Sequence, residues 1–254
     1  MKQTKSKNFE FSEKEFLDTK FQTYVAGQSA QDDLIRELVV ETFDPFIKQM
    51  SGLEFGCSDG YMTQLLSTRL EQLDVVEGSE LFIKKAESRN LQNVDFIYSL
   101  FEEFKPDKKY DYVFLCYVLE HVYDVGKILK IAHSALHSDG LLFIVVPNSR
   151  ALSRQLAYHM GLIFDLRTLT QNDLDHGHRR VYDRVSLNRD LEEGGFSTIS
   201  QGGIMLKPLA DFQMDKLLSA GVLQKPQING LYRLGLEYPD LCGSIYSICK
   251  VMDY

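Results

Sequence analysis

The segment LEFGCSDG, Leu53 to Gly60, joins an apolar strand to a short turn that contains two glycines. Gly56 has no Cβ, so the backbone there can approach a ligand closely. Gly60 permits tight packing where the next helix begins. Ser58 replaces the middle glycine of the pattern G-x-G-x-x-G, which makes the turn a poor cradle for a pyrophosphate. The turn either contacts a ligand or is an ordinary connection between a strand and a helix.

A second candidate for ligand contact is Glu77, which ends the next apolar strand along the chain. A carboxylate at that position can accept hydrogen bonds from both hydroxyls of a ribose. The alternative is a solvated acid at a strand end. The turn and Glu77 together favour a site for a ligand that contains a nucleoside.

Two segments contain histidines that could move a proton. Glu120-His121 follows an apolar strand, and DHGHRRVY occupies residues 175–182. The imidazole has a near-neutral intrinsic pKa, which suits a general base, so His121 and His178 are the candidates. The second segment also contains an aspartate and two histidines, but ligands so crowded along the chain close on one ion with difficulty. We therefore expect no metal.

The elements that must position these residues alternate between short apolar strands and amphipathic helices, which favours a parallel sheet covered on both faces. The predicted strands are Gly52–Phe55, Asp74–Glu77, Val94–Tyr98, Asp111–Cys116, Leu141–Val146, Phe196–Gln201 and Ser244–Val251. The predicted helices are Ala30–Phe46, about Tyr61–Leu70, one from Glu80, Val125–Leu136 and Val185–Glu193. We predict an α/β, doubly wound, Rossmann-like fold with a seven-stranded, mostly parallel sheet and inserted lid segments.

Several motifs, in order along the chain, resemble those of class I S-adenosylmethionine (SAM)-dependent methyltransferases. Residues 54–60 resemble the E/D-x-G-x-G-x-G loop, and Glu77 matches the ribose-binding acid. YDYVFLCYVLEHV at 110–122 resembles F-D-x-V-x-x-x-x-V-L-E-H, and LHSDGLL at 136–142 resembles L-K-P-G-G-x-L. The resemblance covers about residues 30–201.

This resemblance implies that SAM is the cofactor and S-adenosylhomocysteine (SAH) the product. Glu54 would orient the SAM amino group, directly or through water, and Gly56 and Gly60 would border its methionine end. Glu77 would hold the ribose, and Gly78 would pass beside the adenosine. The remaining predicted cofactor contacts are Cys57, Ser58, Leu100, Phe101, Cys116 and Tyr117.

Residues 175–182 resemble an H-x-R-x-Y/F segment of methyltransferases with small-molecule acceptors, including sugars and surface polysaccharides. His121 or His178 would be the base, and Arg179 or Arg180 could pair with a phosphate or carboxylate of the acceptor. Tyr182 would contact the acceptor; alternatively, Arg179 and Tyr182 lock the segment onto the core. We predict O- or N-methylation of a small polar, possibly anionic, metabolite or saccharide precursor.

Residues 30–254 are predicted to form one methyltransferase domain, preceded by an N-terminal arm or cap at 1–29. We expect Met1–Phe16 to be a frayed arm. Tyr24 and Gln28, ahead of the first predicted helix, could close over SAM.

Two insertions, 149–175 and 204–239, interrupt the rhythm of strands and helices and are expected to cover the acceptor. Exposed apolar residues within Ile204–Leu223 could mediate a homodimer. The sequence does not define the acceptor further.

Composition and charge limit the partners. Hydrophobic residues make up 44% of the chain, charged residues 25%, and the net charge is −8, so we expect no nucleic-acid partner. No apolar run reaches the roughly 18 residues of a membrane span, and no secretory signal is recognisable, so we expect a cytoplasmic protein. The four cysteines form no CxxC pair and are expected to be reduced thiols.

Two other classes remain as alternatives. A nicotinamide-dependent oxidoreductase needs glycines for the pyrophosphate, and Ser58 interrupts that set. A non-catalytic SAM-binding module that acts through a partner protein would carry an eroded loop. Glu54, Gly56, Gly60 and Glu77 are all present, which favours the methyltransferase.

Overall fold

The computed structural model describes residues 13–27 and 30–252, and only the backbone of 22–27 and Ala30. The side chain of Tyr24, and all of Gln28, therefore lie outside the described residues. The helices are α1 Glu13–Gly27, α2 Ala30–Phe43, α3 Tyr61–Ser67, α4 Glu80–Glu87, α5 Val125–Ala135, α6 Leu152–His159, α7 Gln171–Asp175, α8 Arg184–Glu193, α9 Asp211–Ser219 and α10 Lys225–Glu237. The strands are β1 Ser51–Phe55, β2 Gln72–Glu77, β3 Val94–Tyr98, β4 Tyr110–Cys116, β5 Leu136–Pro147, β6 Phe196–Leu206 and β7 Cys242–Val251.

The seven strands form one sheet in the order β3-β2-β1-β4-β5-β7-β6. Strands β1 to β5 pair in parallel, and β7 runs antiparallel between β5 and β6. This confirms the predicted doubly wound, mostly parallel sheet. The strand order reverses between β1 and β4, and open α/β sheets bind ligands in the crevice at that point.

The core lies on both faces of the sheet, as β4 illustrates. Val113 and Leu115 belong to one buried apolar cluster, whereas Tyr112 and Phe114 belong to the other. Successive side chains of a strand point to opposite faces, so a central strand covered on both sides is apolar throughout. This packing fixes the carboxyl ends of β1 and β4, where the candidate residues lie.

Three boundaries differ from the predictions. Helix α2 ends at Phe43 rather than Phe46, because Pro45 lacks the N–H that continues an α-helix. Strand β5 starts at Leu136, earlier than predicted, because Leu136 pairs with Tyr110 of β4. Strand β6 continues through its glycines to Leu206, so the second insertion begins inside a strand.

The N-terminal region also differs from the prediction. Residues 13–16 belong to helix α1, so the interpretation of a frayed arm is wrong for them. Among the described helices, none combines the length and apolar character that a membrane crossing requires. The cysteines are free thiols, as expected.

The two predicted insertions contain helices. Residues 149–175 include α6 and α7, and 204–239 include α9, α10 and the end of β6. Within Ile204–Leu223, Ile204 and Met205 are buried in the core, whereas Phe212 is 62% exposed. The predicted acceptor cover and the homodimer stay predictions.

Candidate functional site

The turn after β1 depends on left-handed backbone conformations. Gly56 and Gly60 have φ of 79° and 80°, and Ser58 has φ of 47°. A Cβ on Gly60 would lie 2.7 Å from the Cα of Ala86 in α4. The turn closes with a 2.8 Å hydrogen bond from the Gly60 amide to the Cys57 carbonyl. Gly60 is therefore required both by its conformation and by the close approach of α4.

Glu54 places a buried carboxylate just before this turn. The side chain is 1% exposed, and neither of its oxygens has a hydrogen-bond partner of good geometry among the described residues. Burial raises the pKa of Glu54 to about 8, although the nearby Thr63 hydroxyl partly opposes this shift. A buried carboxylate without a partner is costly. The cationic amino group of a ligand would offset that cost.

Glu77, at the end of β2, is held by backbone amides. Its Oε1 accepts a hydrogen bond from the Ser79 amide at 2.9 Å, and its Oε2 accepts one from the Cys57 amide at 3.2 Å. Burial raises the pKa of Glu77, whereas these amides oppose the rise. Each carboxylate oxygen has a further lone pair, so the fixed carboxylate can also accept from a pair of hydroxyls.

Asp59 is a further member of the turn that the sequence did not single out. Its carboxylate is buried, and it pairs with Arg36 of α2 at 3.0 Å and with Arg89 at 2.7 Å. The Arg89 Nε also donates to the Asp59 carbonyl at 2.8 Å. These contacts tie the turn to two flanking segments that lie far away along the chain.

Helix α1 covers the side of the crevice where Gly78 and Leu100 meet. A Cβ on Gly78 would lie 2.7 Å from Leu17 of α1 and 3.1 Å from Leu100. The Ser79 hydroxyl donates to Asp18 of α1 at 2.5 Å. The predicted adenosine contacts are therefore gathered beneath this helix, whose role no sequence motif indicated.

Phe101 lies against the glycine turn. Its ring would be 3.3 Å from a Cβ on Gly56, and it packs edge-on against Phe55 with ring centroids 5.6 Å apart. The predicted contacts from the ends of β1 and β3 thus converge on one crevice.

Two buried carboxylates, those of Glu54 and Glu120, affect the thiol at the end of β4. Burial, and then the charges of Glu54 and Glu120, raise the pKa of the Cys116 thiol. Tyr117 has φ of 58°, a conformation that costs about 1–2 kcal/mol in a residue other than glycine. Its hydroxyl is 3.0 Å from that of Ser244 in β7. The Tyr117 hydroxyl therefore links the segment after β4 to β7.

Glu120, His121 and His178 form a compact cluster beyond β4. One ligand-type atom from each residue lies within 4.8 Å of the others. Glu120 is 1% exposed, and neither of its carboxylate oxygens bonds to another described residue. Burial, and then His178, lower the pKa of His121 to about 3. The imidazole of His121 is therefore neutral.

His178 is oriented by Asp173 of α7. The His178 Nδ1 and the Asp173 Oδ1 are 3.2 Å apart. Burial would raise the pKa of Asp173, but hydrogen bonds from His178 and Thr170, with the charge of Arg154, hold it well below its usual range. Asp173 thus stays ionised and fixes one nitrogen of the His178 ring.

Arg179 and Arg180 bind the loop that follows β4. The Arg179 Nε donates to the His121 carbonyl at 2.6 Å, and its guanidinium stacks 3.3 Å from the ring centroid of Tyr123. Arg180 donates to the carbonyls of Leu119 and Val122, both at 2.5 Å. The contacts of Arg179 are those of the alternative in which Arg179 and Tyr182 lock the segment onto the core, and Arg180 adds to them.

Tyr182 lies in the core, 2% exposed, and its hydroxyl donates to Asp190 at 3.2 Å. All its described contacts are structural. Acceptor binding by Tyr182 and by the arginines stays a prediction.

Comparison with known proteins identifies the family. The sequence profile of the family described as "Methyltransferase domain" matches residues 28–201. The chain belongs to this methyltransferase family. The predicted class I SAM-dependent methyltransferase is thereby confirmed, and the comparisons favour neither alternative class. The methyltransferase takes its methyl group from SAM, and the buried Glu54 and the amide-held Glu77 fit the amino group and ribose of that cofactor.

Curated relatives of the methyltransferase are O-methyltransferases by name. It is 28% identical over 162 residues to ubiquinone biosynthesis O-methyltransferase of Bradyrhizobium diazoefficiens, a match that covers 63% of each chain. It is 24% identical over 186 residues to the Rhodopseudomonas palustris protein of the same name, covering 70% of this chain and 72% of that one. The match to the first relative thus spans less than two thirds of its length.

Solved structures share the fold of the methyltransferase. A complex of DhpI with SAM and HEP has a TM-score of 0.60 at 18% identity, covering 97% of this chain and 100% of that chain. Phosphoethanolamine N-methyltransferase 2 of Haemonchus contortus has a TM-score of 0.63 at 16% identity, and the match covers 96% of this chain and 61% of that chain. At these identities the likeness establishes the architecture alone.

Proposed function

We propose that the methyltransferase transfers the methyl group of SAM to a hydroxyl oxygen of a small organic acceptor, with phenols as the first class to test. The observation that carries this proposal is the cluster of Glu120, His121 and His178 just beyond β4, the strand that pairs with β1 at Glu54. The residues assigned to SAM and a cluster able to manage an acceptor proton thus meet at the end of β4.

The residues assigned to SAM divide its parts among them. Glu54 would pair with the amino group, and Gly56 and Gly60 would border the methionine chain. Glu77 would accept from the ribose hydroxyls. The remaining assignments are Gly78, Leu100 and Phe101 beside the adenosine, Cys57 and Ser58 along the turn, and Cys116 and Tyr117 below the sulfonium.

The reaction requires alignment and the loss of one proton. The acceptor oxygen forms a bond to the methyl carbon while the carbon–sulfur bond breaks, and its electron pair stays on sulfur as neutral SAH. The hydroxyl proton leaves for solvent through the acceptor side. Alignment alone supplies roughly 7–11 kcal/mol in favourable reactions. We assign the proton step to the cluster of Glu120, His121 and His178, which includes both predicted bases.

Two observations support a hydroxyl acceptor without a required negative charge. The curated sequence relatives are O-methyltransferases by name. The guanidinium groups of Arg179 and Arg180 are engaged by carbonyls of the loop after β4, which leaves them poorly placed to pair with an acceptor anion. The predicted anionic acceptor therefore has less support than a neutral one.

Matched acceptors test the proposal. The purified protein is incubated with SAM and a series that comprises a catechol, its mono-O-methyl ether, its di-O-methyl ether and the corresponding diamine. SAH release gives the rate, and mass spectrometry with NMR locates the new methyl group. We expect transfer to the free hydroxyls and none to the di-ether or the diamine. Transfer to the amine alone, or to none of a broad set of phenols, would overturn the proposal.

A further inference from the structure

We propose that helix α1 is a positioning element shared by both sides of the site, so that SAH binding on the cofactor side steadies the residues that hold His121 on the acceptor side. The inference rests on two assignments of the proposed function, Glu77 to the ribose and His121 to the proton step. It goes beyond the family match, because α1 ends at Gly27 and the family profile matches residues 28–201.

The contacts of α1 divide between two faces of the helix. Residues at positions i, i+3 and i+7 contact the acceptor-side segment 175–179; they are Glu13, Phe16 and Lys20. Residues at positions i, i+3, i+4 and i+7 contact the cofactor side; they are Lys14, Leu17, Asp18 and Phe21. Each of these spacings places its residues on one face of a helix. Because the two faces meet different parts of the protein, α1 has no single apolar stripe.

The cofactor-side face reaches the loop that holds Glu77. Asp18 accepts a hydrogen bond from the Ser79 hydroxyl at 2.5 Å, and the Ser79 amide donates to the Glu77 carboxylate at 2.9 Å. Leu17 packs against Gly78, where an added Cβ would lie only 2.7 Å from its side chain. Asp18 therefore acts on the carboxylate assigned to the ribose through Ser79, and the absence of a side chain on Gly78 permits the close approach.

Two ring contacts hold the same face in place. The Lys14 Nζ lies 3.9 Å from the ring centroid of Tyr98, at the end of β3. Phe21 packs edge-on against Phe82 of α4, with ring centroids 5.2 Å apart. The helix thus spans the end of β3 and the start of α4, on either side of the loop after β2.

The acceptor-side face reaches two residues that hold His121. Glu13 pairs with Arg179 at 3.1 Å, and the Arg179 Nε donates to the His121 carbonyl at 2.6 Å. The ring of Phe16 would lie 3.8 Å from a Cβ on Gly177, and the backbone of Gly177 hydrogen-bonds to His121. Contacts of α1 therefore reach His121 by two routes, one through a side chain and one through backbone.

Coupling follows because one helix carries both faces. A ligand that needs Glu77 in its place favours the docked helix, and the docked helix orders Gly177 and Arg179. The linkage is reciprocal: weaker contacts on the acceptor-side face lower the docked fraction of α1, and the apparent SAH affinity falls with that fraction.

SAH affinity measures this linkage, because the acceptor-side face contacts no residue assigned to SAM. Lys20→Met removes the 2.8 Å hydrogen bond to the Asp175 carbonyl and retains the apolar stem. Glu13→Gln removes the ion pair with Arg179. The two substitutions together should lower SAH affinity about three- to tenfold, measured by calorimetry on the full chain.

Thr19→Ala is the matched control on the same helix. Thr19 is exposed, and its hydroxyl donates to the Phe16 carbonyl within α1. This variant should keep SAH affinity within about twofold, and circular dichroism verifies that every variant is folded. Unchanged affinity in the double variant, or an equal loss in Thr19→Ala, would overturn the linkage.

Hydrogen exchange supplies a readout that a merely structural helix would not move. Residues 173–180 include none of those assigned to SAM, so saturating SAH should slow their amide exchange only through α1. We expect slowing of about three- to tenfold in the unaltered protein. Asp18→Ala, which removes the contact to Ser79, should abolish this slowing although SAH saturates the variant. Equal slowing in both proteins, or slowing in neither, would contradict the proposal.

Both experiments use SAH alone and therefore separate this inference from the proposed function. Unchanged affinity and exchange in the α1 variants of a protein that methylates phenols would overturn the linkage and leave the O-methyltransferase intact. Linked SAH binding in a protein that methylates none of a broad set of phenols would support the linkage and overturn the proposed function.

Discussion

The methyltransferase holds its two groups of candidate residues by different means. The cofactor side, Glu54 to Gly60 and Glu77 to Ser79, is fixed mainly by backbone: left-handed turns and amides that point at a carboxylate. The acceptor side, Glu120 to Tyr123 and Asp173 to Arg180, is fixed by side chains that reach across from one segment to the other. Backbone geometry constrains residue types in a short motif, whereas long side-chain contacts leave no local pattern.

The largest effect is an expected loss of folding stability at Gly60, where the backbone of the cofactor side is most crowded. Gly60→Ala should destabilise the protein by about 2–5 kcal/mol, through left-handed strain and overpacking against Ala86. Gly161→Ala is the matched control: it has φ of 73° and nothing within 4 Å of an added Cβ. It should cost only the strain, about 1–2 kcal/mol. Chemical denaturation measures both, and equal losses would contradict the importance of the α4 contact.

The next effect concerns ligand affinity on the cofactor side. Glu77→Gln should weaken SAH binding by about 100-fold, because hydrogen bonds to a charged group contribute roughly 1.5–3 kcal/mol each. Glu80→Gln, which changes an exposed acid that follows β2, should leave the affinity within about twofold. Calorimetry gives both values. Retained SAH affinity in Glu77→Gln would remove the assigned ribose contact and with it the contrast between the two sides.

The pH dependence of SAH binding tests whether Glu54 binds the amino group of the ligand. Since burial raises its pKa to about 8, the ligand-free carboxyl is largely protonated at pH 6 and must lose this proton to pair with an amino group. Affinity should therefore rise with pH, by up to about tenfold per unit below pH 8. Glu54→Gln should flatten the profile. A parallel slope in both proteins would assign the dependence to another group.

Glu54 also has a consequence for the stability of the ligand-free protein. A pKa raised above the unfolded value means that the native state binds more protons, so the contribution of Glu54 to stability is full below about pH 4.5 and is lost as pH rises through about 8. Glu54→Gln should therefore gain stability relative to the unaltered protein at pH 8.5. Denaturation at pH 6 and at pH 8.5 gives the comparison.

The smallest effect is expected on the acceptor side. Arg180→Met removes hydrogen bonds to the loop carbonyls while it retains side-chain length, and misplacement of Glu120 and His121 should lower kcat for the acceptor about tenfold. SAH affinity should stay within about twofold, because Arg180 donates its described hydrogen bonds to the loop after β4 and not to the glycine turn. A comparable loss of SAH affinity would show that the two sides are coupled more tightly than the contacts indicate.

Sequence reasoning succeeded where neighbours along the chain determine the geometry. The alternation of strands and helices predicted the seven-stranded sheet. The positions of Gly56 and Gly60 predicted a tight turn, and both adopt left-handed conformations. Each of these features depends on residues within one strand–turn–helix unit, so a single short motif contains the information.

The missed features depend on distant partners. Asp59 owes its position to Arg36 and Arg89, and no spacing along the chain relates the three. Asp173 was not singled out, because its contact with His178 requires the fold of helix α7 and its capping by Thr170. Helix α1 was underestimated for a related reason: its polar and apolar residues alternate without a clear stripe, and its contacts to Ser79 and Gly78 appear only in three dimensions.

Strand β7 lies between β5 and β6, although β6 precedes it along the chain. During synthesis β6 therefore emerges before β7, its only neighbour in the described sheet. The backbone N–H and C=O groups of β6 have no strand to pair with until residues 242–251 are made. A nascent chain halted before that point would leave two open strand edges, which are templates for association with other chains. Because of this order of translation, the pairing of β7 with β5 and β6 is what covers both open edges and protects them from aggregation.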